Sequence, residues 1–179
     1  MPHRRLSELE CFVLGLIWKY GPLTAYAIRQ RLQQSPSTQW SGSAGSVYPL
    51  VRRLKARRLL DARPAGRGKR ASVEYTAREA GITALRGWIG PPVPQEAISV
   101  SHDPLRARLR FLAVLPPQEQ KAWLGAAIEA MALVAERVDR WEAEHADSGD
   151  PFDQTVTRSG RLDIQARQAW LREARDRLS

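Results

Sequence analysis

Basic side chains are concentrated in two short stretches, and their spacing suits binding to a polyanion. The first stretch holds five basic residues within seven positions: Arg52, Arg53, Lys55, Arg57 and Arg58. The second stretch holds three basic residues beside two glycines: Arg67, Lys69 and Arg70. Guanidinium and ammonium groups bind nucleic-acid phosphates, and an arginine in the middle of a helix face can also reach a base edge. These residues therefore offer nucleic-acid binding, with an anionic membrane surface as the alternative.

The charge of the chain is divided unevenly between its two halves. The formal net charge is +9 over 179 residues. Residues 1–90 hold 16 Lys and Arg against 5 Asp and Glu, a net charge of +11, whereas residues 91–179 hold 12 against 14, a net charge of −2. General solubility would not need this asymmetry. The first half is therefore expected to meet the polyanion and the second half to have another role.

The residue types give little support to other chemistries. Cys11 is the single cysteine, which excludes a disulfide framework and a multi-thiolate metal site. The three histidines are far apart and lack metal-ligand spacing: His3, His102 and His145. No Ser/His/Asp or Cys/His arrangement is recognisable. We therefore expect no enzymatic activity, no metal and no cofactor, and a packing role for Cys11.

Composition and hydropathy indicate a globular, cytoplasmic protein. Hydrophobic residues make up 43% of the chain and charged residues 26%, as in average soluble domains. No apolar run approaches the ~18–20 residues that a membrane span needs. The N-terminal segment shows no apolar core followed by a small-residue cleavage site. We expect no contact with a membrane.

Three helices are expected before the second basic stretch. Ser7 and Glu10 form an S-x-x-E capping box that begins the first helix, which Gly21-Pro22 ends. Thr24 is expected to cap a second helix, residues 34–42 have a loop composition, and Ser43 is expected to cap a third helix over residues 43–59. Four apolar residues of the third helix share one face and must meet a core: Val47, Leu50, Val51 and Leu54. The opposite face holds Gly45, Pro49, Arg52 and Ala56, flanked by Tyr48, Arg53 and Lys55.

A hairpin and a fourth helix follow. Short apolar segments at 59–63 and 71–75 predict two strands with the second basic stretch at their turn. Thr76 and Glu79 form a second capping box, which is expected to begin a helix that ends at Gly90. This order predicts a winged helix-turn-helix over residues 1–90. Residues 91–102 are then a proline-rich linker.

Residues 103–179 are expected to be helical. Asp103 and Pro104 have the types expected of an N-cap and a first helical residue, and Pro116-Pro117 should end that helix. A long helix of roughly 28 residues should then reach about His145, followed by a last helix after residues 146–151. Apolar residues of the long helix are spaced by 4, 3, 4 and 3 positions, which is typical of a coiled-coil seam: Ala127, Met131, Val134, Val138 and Trp141. We expect Trp123, Trp141 and Trp170 to pack in a core or an interface.

Residues 45–54, GSVYPLVRRL, resemble the third-helix signature of the PadR family of transcriptional regulators. That signature is Gly-[Ser/Thr]-x-Tyr-Pro-x-Leu-x-x-Leu; here Leu50 lies one place early and Val51 holds the usual Leu position. The resemblance covers residues 6–90, and the helical half is similar in outline to the longer, virulence-regulator-like branch. Two residues depart from the pattern, since Arg58 and Ala25 stand where the family often has glycine.

The resemblance implies a mainly α protein, with a winged helix-turn-helix followed by a C-terminal helical dimerisation domain at residues 103–179. We expect a homodimer, because the apolar seam of the long helix exceeds what one helical pair needs and because two half-sites multiply the affinity of a single winged helix. The expected protein is a DNA-binding regulator, a repressor on an inverted-repeat operator, and the resemblance implies that a small and often aromatic effector releases it. We expect contacts with double-stranded DNA from nine residues: Ser43, Ser46, Tyr48, Arg52, Arg53, Lys55, Arg67, Lys69 and Arg70. The alternative is a winged-helix module for protein interaction without specific DNA binding, which would favour apolar or acidic residues where Arg52 stands.

Overall fold

The computed structural model describes residues 5–35, 37–65, 72–99, 103–145 and 149–178. The chain divides into two compact units, residues 1–99 and 100–179. The first unit contains six helices and three strands among its described residues: α1 (Glu8–Tyr20), β1 (Leu23–Thr24), α2 (Ala25–Gln34), α3 (Thr38–Ser41), α4 (Val47–Ala56), β2 (Leu60–Ala65), β3 (Ser72–Ala77), α5 (Glu79–Ile89) and α6 (Gln95–Ile98). A 3₁₀ turn, Ala44–Ser46, precedes α4.

The starts of α1 and α2 are as predicted. The Ser7 hydroxyl accepts a hydrogen bond from the Glu10 N–H, and the Glu10 carboxylate accepts one from the Ser7 N–H, so the capping box is complete. The α1 helix ends at Tyr20, before Gly21-Pro22. The Thr24 hydroxyl accepts from the Ala27 N–H at 3.1 Å and caps α2. Side-chain oxygens thus satisfy amides that a helix start would leave without partners.

The predicted third helix is wrong in its extent. Residues 38–41 form α3 within the expected loop, and α4 covers only Val47–Ala56. Ser43 caps nothing, because its hydroxyl donates to the Gln39 carbonyl at 2.7 Å. Ser and Gly fill five of the six positions from 41 to 46, and both have weak helix preference, so the chain takes a 3₁₀ turn there before α4 begins.

The three strands form an antiparallel sheet in the order β1-β3-β2. The predicted hairpin is present, although each described strand extends two residues beyond its predicted end. Thr76 is not a helix cap, which corrects the second predicted capping box. It pairs with Asp61 inside the sheet, and Arg78 precedes α5 with no side-chain cap. Ladder hydrogen bonds from β2 keep residues 76 and 77 in the strand, so the helix starts at Glu79.

One hydrophobic core holds the first unit together. Apolar side chains of α1, α2, α4 and the sheet are buried in it, among them Leu14, Ile17, Ile28, Leu32, Leu50 and Leu54. The Phe12 and Trp40 rings stack at 4.0 Å with 3° between their planes, which packs α3 against α1. Cys11 is 2% exposed, so the expected packing role is confirmed. This core fixes which face of α4 remains at the surface.

The second unit contains α7 (Pro104–Arg110), a 3₁₀ turn (Leu112–Val114), α8 (Pro117–His145) and α9 (Pro151–Leu178). Asp103 caps α7 through the Leu105 N–H at 2.9 Å, as predicted. The helix after it is shorter than expected, because a 3₁₀ turn replaces its last residues. The 29-residue α8 confirms the predicted long helix. The Asp103 carboxylate also pairs with Arg167 at 3.1 Å, which connects the start of α7 to α9.

The coiled-coil seam of α8 is used within the chain. Met131 and Val138 are buried, and α9 packs along α8 in the antiparallel direction. The direction follows from two sets of contacts. Leu124 shares a cluster with Ala174, whereas Arg161 pairs with Asp139 and Glu142 at 2.8 Å each. The seam therefore gives no reason by itself to expect a second chain. No helix among the described residues is both long and apolar enough to cross a membrane.

Candidate nucleic-acid interface

The two faces of α4 differ as predicted. Val47, Leu50, Val51 and Leu54 are all 0–1% exposed and belong to the core. The outward residues are exposed: Gly45, Tyr48, Pro49, Arg52, Arg53, Lys55 and Ala56. Among the described residues, no carboxylate pairs with Arg52 or Lys55. The helix thus presents a narrow face with small residues, on which Arg52 is central and Arg53 and Lys55 lie on opposite flanks.

Helices α2, α3 and α4 lie in a long part of the sequence that carries no negative side chain. Residues 11–60 contain no Asp or Glu and eight Lys or Arg. This range includes all of α2, α3 and α4. Because nothing in these helices neutralises the basic groups, the surface that they form attracts phosphate groups.

Arg53 is anchored, unlike Arg52 and Lys55. Its Nε lies 3.2 Å from Oε1 of Glu10, whose side chain is 1% exposed, while the Arg53 side chain remains 51% exposed. Arg57 is half-buried at the end of α4, closer to the core than the other basic residues of the first stretch. The basic residues of α4 therefore include one that is held by α1 and two that reach directly into solvent.

Ser43 and Ser46 are at the surface before α4, but their hydroxyl hydrogens are engaged. Ser43 donates to the Gln39 carbonyl at 2.7 Å, and Ser46 donates to the Ser43 carbonyl at 2.8 Å. A phosphate oxygen needs a donor, so each hydroxyl would have to rotate before it could bind one. Contacts of Ser43 and Ser46 with DNA stay predictions. Gly45 lies between them, and a Cβ there would meet no atom within 4 Å.

The second basic stretch falls in the sequence between β2 and β3. Arg67, Lys69 and Arg70 lie outside the described residues, so their contacts stay predictions. The strands on either side are described. Arg63 is exposed on β2, and Glu74 of β3 is its partner in the antiparallel register.

The outer face of α2 adds candidates that the sequence analysis did not select. Tyr26 is 58% exposed, and its hydroxyl accepts a hydrogen bond from Nε2 of Gln30 at 3.0 Å. Arg29 is exposed on the same helix. The signal that would have found these residues is the absence of acidic residues from position 11 to position 60.

The described residues contain no group of three or more His, Cys, Asp or Glu side chains that could hold a metal ion. The thiol of Cys11 is poorly suited to chemistry, because burial raises its pKa to about 11, helped by the nearby Glu8 and Glu10 carboxylates. In the second unit, a groove of about 430 Å³ is lined by Pro104, Leu105, Arg108, Trp123, Ala126 and Ala127. It is open to solvent and mostly apolar.

Solved structures show the same fold over nearly the whole chain. PadR of Bacillus subtilis in complex with operator DNA has a TM-score of 0.80 at 17% identity, covering 97% of this chain and 100% of that one. The same protein in complex with p-coumaric acid has a TM-score of 0.74 at 17% identity, covering 95% and 94%. The Vibrio cholerae virulence activator AphA has a TM-score of 0.68 at 19% identity, covering 96% and 98%.

These likenesses show a winged helix followed by a helical region. No curated protein matches the sequence significantly. Residues 13–87 match the PadR-like family of transcriptional regulators, and this range includes α2, α4 and both hairpin strands. Residues 13–87 of this chain therefore form a domain of the PadR-like family of transcriptional regulators.

Proposed function

We propose that the protein binds an inverted-repeat operator on double-stranded DNA as a homodimer and represses transcription. The observation that supports DNA binding is the exposure of Arg52 and Lys55 on the outward face of α4. The opposite face of this helix is buried in the hydrophobic core. A helix of this width fits the major groove. Arg52 is then positioned to read a base, while Arg53, Lys55 and the wing contact the backbone.

In this proposal, each of the three expected segments of the chain has its own role. Residues 1–90 bind DNA, residues 91–102 link, and residues 103–179 dimerise. The dimer is supported by apolar side chains that the second unit leaves exposed: Leu133 at 62%, Phe152 at 77% and Val156 at 72%. Phe152 and Val156 are four residues apart on one face of α9, so a second copy could cover them together. Two winged helices related by a two-fold axis then read two half-sites.

Recovery of bound fragments from genomic DNA tests the operator. One enriched inverted repeat is the expected result. Affinity for that duplex should fall steeply with salt, with a slope of roughly −7 in log–log form if a dimer contacts about eight phosphates. Binding to no duplex at all would remove DNA binding and favour the winged helix as a protein-interaction module. A reporter gene behind the operator then gives the sign of regulation, and the proposal requires lower expression when the protein is present.

Release by a small aromatic effector is part of the same proposal. The groove in the second unit offers the indole of Trp123 as an apolar surface and the guanidinium of Arg108 as a partner for a carboxylate. A relative in the same fold binds p-coumaric acid. Calorimetric titration with that acid is the test, and Arg108→Ala should weaken binding. An unchanged affinity in Arg108→Ala would place any effector elsewhere.

A further inference from the structure

The carboxylate of Glu10 is a buried negative charge beside the proposed DNA-binding helix. It lies in the first turn of α1 with its side chain 1% exposed. Oε2 accepts the Ser7 N–H at 2.9 Å, and Oε1 accepts the Nε–H of Arg53 at 3.2 Å. The capping box therefore fixes the carboxylate on α1, and the same carboxylate holds an arginine of α4. This contact joins residues 43 positions apart in the sequence.

The contact with Glu10 occupies only part of the Arg53 guanidinium. Nε is the atom within 3.2 Å of Glu10, and 51% of the side chain remains accessible to solvent. A guanidinium has five N–H donors in a planar fork, four of which belong to the two terminal Nη groups. An arginine held by its Nε can thus still offer its terminal nitrogens to a phosphate.

We infer that Glu10 is a positioning residue for DNA binding, which holds Arg53 by Nε so that its terminal nitrogens contact a DNA phosphate beside α4. The inference rests on the proposed function, because it requires α4 to enter a groove. Arg53 lies on the flank of α4 opposite Lys55, where a helix in the major groove passes one of the two backbones. Anchoring the side chain beforehand reduces the rotamer entropy that binding would otherwise remove.

Two alternatives predict different results. If Glu10 only neutralises Arg53, its removal should leave DNA affinity unchanged or raise it, because the surface becomes more positive. If Glu10 only stabilises α1, its removal should lower the unfolding free energy and leave the affinity of the folded protein unchanged. Positioning alone predicts that the folded Glu10 variant binds DNA more weakly. It also predicts that a substitution of Arg53 changes DNA affinity less in that variant than in the wild-type protein.

The test measures operator affinity of the full-length protein at several salt concentrations for wild type, Glu10→Gln and Ser7→Ala. Glutamine is accepted at this place in a capping box, so Glu10→Gln removes the charge facing Arg53 with little change to the cap. Ser7→Ala is the matched control, since it weakens the cap but leaves the carboxylate against Arg53. Circular dichroism confirms that each variant is folded at the temperature of measurement.

We expect Glu10→Gln to weaken operator binding roughly tenfold, as for a lost hydrogen bond to a charged group. The salt slope should become smaller by about one for each phosphate contact that is lost. Ser7→Ala should bind like wild type. Arg53→Lys should weaken binding in the wild-type background but add little in the Glu10→Gln background, because lysine has no Nε–H through which Glu10 could hold it.

A folded Glu10→Gln variant with wild-type affinity would overturn the inference and leave DNA binding by α4 intact. If wild type binds no duplex, the proposed function fails first and the inference with it.

Nuclear magnetic resonance provides a second test, which uses the wild-type protein and so does not depend on a folded variant at position 10. The Arg53 Nε–H signal, assigned by its absence in Arg53→Lys, should be protected in the wild-type protein and remain so in the DNA complex. Loss of that protection on DNA binding would show that Arg53 leaves Glu10, which contradicts positioning.

Discussion

The backbone N–H of Leu59 donates to the carbonyl of Leu54 at 3.0 Å, which closes the end of α4 around Arg58. The Arg58 N–H donates to the Lys55 carbonyl at 2.8 Å, and Arg58 has a φ of 59°. This pair of bonds is the Schellman motif, which turns the chain from α4 towards β2. Its central residue must be left-handed, a conformation that glycine adopts more readily than arginine.

Replacing Arg58 by glycine should therefore stabilise the protein. A left-handed backbone costs a residue with a Cβ roughly 1–2 kcal/mol, while glycine loses more entropy on folding, so we expect a net gain of about 0.5–1 kcal/mol in the unfolding free energy. Urea denaturation followed by circular dichroism measures it. Arg57→Gly is the control, because Arg57 has a φ of −78° and the same charge. That variant should be destabilised, and a destabilised Arg58→Gly would contradict the explanation.

Local signals in the sequence were sufficient for much of the fold. The spacing of Ser7 and Glu10 fixed the start of α1, and the apolar arc of α4 gave its buried face, because both depend on residues within a few positions of one another. Thr76 was misassigned for the opposite reason. Its sequence neighbours match a capping box, but its partner Asp61 lies across the sheet. The sequence prediction also lacks the break before α4, since it extends the helix through residues 43–46 although Ser43, Gly45 and Ser46 have weak helix preference.

In the candidate interface, too, local sequence predicts some features, while others depend on residues far apart in the sequence. Arg52 could be placed on the outward face from periodicity alone, and the structure leaves it exposed. The bond between Glu10 and Arg53 could not be foreseen, because both residues already had local explanations, one as a helix cap and the other as a surface base. Only the packing of α1 against α4 brings them together.

Cys11 should be unreactive in the native protein. Burial raises its pKa to about 11 from 9.0, so almost none of it is thiolate near neutral pH. A thiol reagent at pH 8 should label the protein slowly without denaturant and rapidly in urea. Rapid labelling of the native protein would contradict this, and Cys11→Ala shows the background.

The thiol has a lower pKa in the unfolded chain than in the folded protein. The contribution of Cys11 to the unfolding free energy should therefore decrease as the pH rises from 9 to 11.

The protein should be a dimer at micromolar concentration, held by the exposed apolar residues of the second unit. Replacing both Phe152 and Val156 by serine should shift the sedimentation coefficient towards that of a monomer, because it removes two exposed apolar side chains from one face of α9. Trp18→Ser is the control, since Trp18 is 57% exposed but lies in the first unit. A monomeric wild-type protein would contradict the dimer, and an unchanged double variant would move the interface elsewhere.

Substitutions of Arg52 and of its basic neighbours should change DNA affinity in different ways. Arg52 extends from the middle of the outward face of α4, between small residues, where a guanidinium can reach a base edge. Losing a bidentate base contact costs about 1–3 kcal/mol and relaxes the preference at one base pair, so Arg52→Ala should narrow the ratio of operator to random-DNA affinity. Lys55→Ala and, at the hairpin turn, Arg70→Ala should lower both affinities in parallel and reduce the salt slope by about one.

Binding measurements on operator and scrambled duplexes separate these outcomes, because a phosphate contact is the same on both duplexes whereas a base contact exists only on the operator. Lys55→Ala is the matched control for Arg52→Ala. Both side chains are exposed on α4, and no described carboxylate pairs with either, so each substitution removes one positive charge without leaving a buried partner behind. If Arg52→Ala and Lys55→Ala lose affinity equally on both duplexes, Arg52 holds a phosphate and does not read a base. The winged helix would then remain the DNA-binding element, with its sequence preference carried by other residues of the same face, of which Tyr48 is the next to test.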